Sequence, residues 1–98
     1  MPRVYVPNNS GSDYSDAERL GDIIFIMEGA QDRYNTDGFY KKCQEALAES
    51  EPNDFILITS LPIISAICST IFGRMHGRVN YLLYRQGRYV IRTMELVT

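Results

Sequence analysis

Hydroxyls, amides and one carboxylate crowd the first loop of the chain, where Asn8, Ser10, Gly11, Ser12, Asp13 and Ser15 fall within a single polar stretch. Side-chain and backbone donors at that density suit the cradling of a phosphate, a ribose or another small anion, and Gly11 lets the backbone approach a ligand closely. Thr59 and Ser60 place two more hydroxyls just ahead of a predicted helix N-terminus, where backbone N–H groups favour negative charge. Glu28 adds a second carboxylate, and Arg78 and Arg85 add guanidinium groups able to grip phosphate or carboxylate in a planar fork. The same residue types also stock the turns and caps of any α/β protein. With no G-x-G-x-x-G and no Walker lysine, the pattern specifies a binding edge and leaves the ligand open.

Catalysis has less to build on. His76 is the only histidine, and it falls at a predicted helix end, where an imidazole commonly serves the last carbonyls. A serine nucleophile with His76 as base would lack a G-x-S-x-G elbow. Asp13 and Glu28 could share acid–base work if both lie at one strand edge. No histidine, cysteine or acid cluster has metal-ligand spacing. The expectation is no cofactor, no metal and no catalytic set, which leans away from an enzyme without deciding the matter.

The elements that must position these residues follow from pattern. A strand is predicted over 3–7, closed by Pro7. Ser15-Asp16-Ala17-Glu18 has the form of a capping box and predicts a short helix ending at Gly21. The unbroken apolar run 23–27 predicts a central strand buried on both faces. Thr36 or Asp37 can cap a helix carrying Phe39, Cys43, Ala46 and Leu47 on one face. A second apolar strand follows over 55–59, then a helix over 61–75 capped by Ser60, with Pro62 in its first turn and Gly77 after its end. A hairpin through Gln86-Gly87 closes the chain. The order β-α-β-α-β-α-β-β predicts a small Rossmann-like, three-layer α/β domain spanning 1–98, its sheet mostly parallel with an antiparallel edge. Ligands of such sheets bind outside the carboxyl ends of the strands. That rule gathers Asn8, Ser10, Gly11, Ser12, Asp13, Ser15, Glu28, Thr59 and Ser60 into one candidate site.

Charge and hydropathy narrow the partners. The 98 residues carry a net charge of −2, but residues 1–54 hold eleven acids and five bases, while residues 55–98 hold five arginines and the single acid Glu95. The arginines stand among Tyr81, Tyr84 and Tyr89, a composition that can bind nucleic acid. The sequence pI of about 5.3 argues against that use, and cross-strand tyrosine pairs need no ligand. Residues 55–73 lack charge and approach the length of a membrane span, yet the polar residues within them and the break at Ser60-Leu61-Pro62 favour a strand followed by a buried helix. Ile63, Ile64, Ala66, Ile67, Ile71 and Phe72 surround that helix almost completely, so a homo-oligomer through 61–75 is expected. Cys43 and Cys68 read as buried free thiols in a reducing, cytoplasmic setting.

The opening stretch from Val4 to Gly21, with Asp54-Phe55-Ile56-Leu57-Ile58-Thr59-Ser60-Leu61 and His76-Gly77-Arg78-Val79-Asn80-Tyr81-Leu82-Leu83, resembles a group of small phage-encoded proteins. The resemblance implies action inside an infected bacterial cell and attaches no activity to any residue. Two readings follow. One is a non-enzymatic binding protein holding an anionic or nucleotide-derived small molecule at the carboxyl edge of its sheet. The other is a protein–protein interaction module, an inhibitor or structural subunit, acting through the apolar helix. A small hydrolase using Asp13 or Glu28 is the third and least supported.

Overall fold

The apolar runs fold into strands β1 (Arg3–Asn9), β2 (Asp22–Glu28), β3 (Phe55–Leu57), β4 (Arg78–Arg85) and β5 (Arg88–Glu95). Between them lie helices α1 (Thr36–Leu47) and α2 (Pro62–His76) and a 3₁₀ helix over Ser15–Arg19. They are seen in a computed structural model, which describes residues 1–59 and 61–96. The strands form one sheet in the order β2-β1-β3-β4-β5. The β1–β2, β1–β3 and β3–β4 pairings are parallel and β4–β5 is antiparallel, so the sheet is mixed with a parallel core.

Side-chain alternation splits the core in two. Tyr5, Ile56 and Val79 point to the face covered by α1 and α2, where they meet Phe39, Cys43, Leu47, Ile64, Cys68 and Phe72. Val4, Val6, Leu57 and Leu82 point to the other face and pack with Tyr14, Ala17 and Tyr89. Residues such as Phe72, Leu47 and Leu82 are wholly buried, each contributing about 1.5–3 kcal/mol by leaving water. Among the described residues only the 3₁₀ helix and its loop cover this second face, and the five residues over Ser15–Arg19 are too few for a full α-helical layer.

Several local expectations are corrected. The Ser15-x-x-Glu18 pattern forms no side-chain cap, since Tyr14 occupies the N-cap position and the Ser15 N–H is taken by Asp13 Oδ1 at 2.9 Å. Asn35, not Thr36 or Asp37, caps α1 by accepting from the Gly38 N–H at 3.2 Å. Leu61 is the N-cap of α2 and Pro62 opens it, while Ser60 lies outside the described residues. The β2 run was expected to be central, yet β2 is an edge strand, with Phe25 38% exposed and only Met27 buried. Pro7 does not end β1. The β1–β3 pairing stops at Tyr5↔Ile56, and Pro7 has no partner between Val6↔Phe25 and Asn8↔Met27, so its missing N–H costs no ladder bond. Residues 55–73, considered above as a membrane span, divide into β3 and α2, and no described helix is long and apolar enough to cross a membrane.

Candidate functional site

The two edges of the sheet hold their polar groups in different ways. At the amino edge, buried Asp54 accepts from the Arg3 and Glu51 backbone N–H groups at 2.9 and 2.8 Å. Buried Asn80 donates to the Pro52 and Asp54 carbonyls at 2.8 and 2.9 Å and accepts from Thr93 at 2.9 Å and Arg78 at 3.2 Å. These partners are all internal, while the buried Arg78 Nε beside them has no hydrogen-bond partner among the described residues.

His76 belongs to this closed edge. Its Nε2 lies 2.9 Å from Ser50 Oγ, the one Ser–His contact among the described residues. The Ser50 hydroxyl donates to the Leu47 carbonyl at 2.7 Å, so its proton is directed into the last turn of α1. The imidazole packs on Phe72 with ring centroids 4.5 Å apart. The pair joins two helix ends and lies outside the recess at the carboxyl edge described below.

The carboxyl edge is open. The chain leaves β1 toward one face of the sheet, through the 3₁₀ helix, and leaves β3 toward the other, through α2. Divergence of neighbouring connections separates two loops and leaves a crevice between them. A recess of about 440 Å³ lies there, lined by Ser12, Asp13, Tyr14, Ile58, Thr59, Tyr84 and Tyr89.

Each wall has its own support. Tyr14, 8% exposed, hands its hydroxyl proton to the Asn8 carbonyl at 3.3 Å and accepts from the Ser10 N–H at 3.3 Å, pinning the loop to the end of β1. Asn9 Oδ1 accepts from the Gly11 N–H at 3.1 Å and fixes the turn before it. Thr59 is held by Ser65 Oγ, 3.2 Å from both its N–H and its hydroxyl. The hairpin sets Tyr84 opposite Tyr89, with the rings edge to face at 5.3 Å and 66°. Asp16 then ties the hairpin to the 3₁₀ helix by accepting from the Tyr89 N–H at 2.7 Å.

Electrostatically the recess is acidic. Hydrogen bonds from the hydroxyl and backbone N–H of Ser15 hold the Asp13 carboxyl below the usual carboxylate range. Burial, with Tyr14, Tyr84, Asp13 and Asp16 nearby, pushes the Tyr89 phenol up. The lining therefore carries one carboxylate, three tyrosines and no basic side chain.

Ser12, Asp13 and Thr59, three of the residues singled out by sequence, thus share one recess. Asn8 lies on the recess face of β1, 5% exposed, and its Oδ1 has no hydrogen-bond partner among the described residues. Ser10 bonds the Tyr14 hydroxyl, Gly11 forms the turn, and Ser15, in a neighbouring shallow pocket, donates its N–H to Asp13. Glu28 ends edge strand β2 and is not brought to the recess, so it is not paired there with Asp13. Arg78 begins β4, which runs parallel to β3, and so stands at the opposite edge beside Asn80 and Glu95. Arg85 ends β4 at the correct edge, exposed and outside the lining. Tyr14, Tyr84 and Tyr89 were not among the expected site residues. The Gln86-Gly87 turn held the signal for two of them, because it fixes Tyr84 opposite Tyr89.

Among the described residues no group of three or more His, Cys, Asp or Glu is placed to hold a metal ion. Fold and recess together define a small mixed α/β protein with a pocket at the carboxyl edge of its sheet. The chain belongs to the phage Pam3 gp32-like protein family, whose model matches residues 2–96. That match establishes the resemblance to small phage-encoded proteins. No curated protein and no solved structure matches the chain.

Proposed function

We propose that this phage protein is a small, non-enzymatic binding protein that receives a small molecule in the recess between the β1 loop and the hairpin. The carrying observation is the recess itself: Ser12, Asp13 and Thr59 converge with three tyrosines on about 440 Å³, within the range of small-molecule sites. The Rossmann-like reading enters through one feature, the diverging connections after β1 and β3, which put a crevice where ligands of such sheets bind. The cytoplasm of an infected cell is the setting this reading assigns. The anionic ligand expected from sequence is the part the lining redirects, because Asp13 is present and Arg78 and Arg85 are not.

Native mass spectrometry of the protein as purified, followed by thermal-shift screening against cations, sugars and nucleotides, tests the proposal. A bound small molecule, or a shift lost in the Tyr84→Ala variant, supports it. A clean apo protein that no compound class stabilises overturns it.

A second reading keeps the homo-oligomer through α2, with a second copy as the partner. Ile63 and Met75, 36% and 45% exposed, leave apolar surface at both ends of that helix. Light scattering of wild type and Ile63→Lys distinguishes the two. A dimer that the variant dissolves supports an α2 interface, and a wild-type monomer removes it.

A further inference from the structure

Deepening that reading, on which it rests, we propose that the recess selects a small organic cation, an ammonium or guanidinium group on a compact apolar body. Three independent features agree. The first is aromatic. Tyr14 and Tyr89 form a buried base, 8% and 5% exposed, and Tyr84, 63% exposed, stands over Tyr89 in an edge-to-face pair. The faces of such rings carry negative potential that attracts a cation which has shed part of its water.

The second is the carboxylate. Asp13 lines the same recess and stays ionised at neutral pH. Its position beside aromatic rings supplies the counter-charge that a sugar or a base would not need.

The third is the disposition of the arginines. Arg19 and Arg88 are paired with Asp16 at 3.2 and 3.7 Å, Arg78 is at the far edge, and Arg85 lies outside the lining. A phosphate entering the recess would meet a carboxylate with no cation among the lining groups to offset it.

The cation could be a free metabolite or a methylated lysine side chain, since both present the same ammonium chemistry. Amide and tyrosine-ring NMR shifts are followed on titration with choline, with tetramethylammonium, and with a short peptide containing trimethyllysine. The neutral isostere 3,3-dimethyl-1-butanol and AMP serve as controls. Both free cations are expected to shift Ser12, Asp13, Tyr84 and Tyr89 while the neutral isostere does not. Tighter binding of the peptide than of choline assigns a protein source, and the reverse assigns a free molecule.

Asp13→Asn and Tyr84→Ala should each weaken binding by about tenfold, whereas Tyr84→Phe, which keeps the ring, should leave it within about twofold. Equal binding of the isostere, or AMP binding at the same residues, overturns the cation proposal and leaves a small-molecule site standing. If no compound shifts these residues, the cation proposal fails, and the site falls with it only when the thermal-shift screen against sugars and nucleotides is also negative.

Discussion

Asp16 and Tyr89, 73 positions apart in the chain, are joined by a 2.7 Å hydrogen bond from the Tyr89 backbone N–H to the Asp16 carboxylate. The same carboxylate accepts from Arg19 at 3.2 and 3.3 Å, and Arg19 in turn donates to the Tyr89 carbonyl at 2.7 Å. This closed ring of contacts fastens the start of β5 to the 3₁₀ helix. It also holds Tyr89, and with it Tyr84, against the loop that carries Asp13.

A pH dependence follows. The Tyr89 N–H, then Arg19, hold the Asp16 carboxyl below its ordinary value. A carboxyl depressed in the folded state contributes stability above its unfolded pKa, near 4, and that stability is lost as pH falls through the lower folded value. Asp13, depressed by Ser15, adds to the same acid limb. Thermal melts followed by circular dichroism should show a falling midpoint below about pH 4. Asp16→Asn should start from a lower midpoint at pH 7 and decline less steeply in acid. An acid limb unchanged in this variant would remove Asp16 as a cause.

Gly21 permits a backbone approach that no other residue can make. A Cβ there would collide with the Pro2 carbonyl oxygen, the atom that also accepts from the Asp22 N–H at 2.9 Å. Backbone on both sides leaves little room to yield, so β1 and β2 would have to separate at their first pair, Arg3↔Asp22. Gly21→Ala is expected to cost about 1–3 kcal/mol, an ordinary figure for overpacking. Urea denaturation measures it, and an unshifted midpoint would show that the first pair can open freely.

The hairpin turn can be improved. Gln86 and Gly87 have φ of 50° and 87°, the left-handed pair of a type I′ turn, in which Asn-Gly is the favoured sequence. Gln86→Asn should stabilise the protein by a few tenths of a kcal/mol, and Gly87→Ala should destabilise it by about 1 kcal/mol or more. If Gln86→Asn lowered the urea midpoint, the Gln86 side chain would have a role beyond the turn.

What could be read from sequence was what short-range chemistry decides. Gly77, at φ 71°, ends α2 where its position after the last apolar residue predicted, and the hairpin follows from two turn residues between strand formers. The apolar run of β2 was misleading because hydrophobicity does not report strand order. Insertion of β1 between β2 and β3 left Phe25 and its neighbours at an edge. The helix caps moved by a residue because Asn35 and Asp13 won local contests for backbone N–H groups. At the site, Ser12, Asp13 and Thr59 were accessible through the strand-edge rule. Tyr14 was not, since its role depends on folding back over Asn8. The direction of β4 already implied that Arg78 and Arg85 fall at opposite ends, and only Arg85 reaches the carboxyl edge.

The cysteines supply a probe of the core. Cys43 on α1 and Cys68 on α2 are fully buried free thiols whose Sγ atoms meet at 2.7 Å. The hydrogen bond between them, with burial, pushes the Cys68 thiol up and holds the Cys43 thiol down, but neither sulfur is open to a reagent in the folded state. Labelling by an aromatic disulfide reagent therefore requires opening of the α1–α2 interface, which also holds Phe39, Leu47 and Phe72. Both thiols should react together, at a rate that rises with urea along the same slope as global unfolding. Rapid labelling of either cysteine in the absence of urea would mean that α1 lifts off the sheet on its own. The helical face would then be the mobile half of the molecule, and the fixed half would be the one that carries the recess.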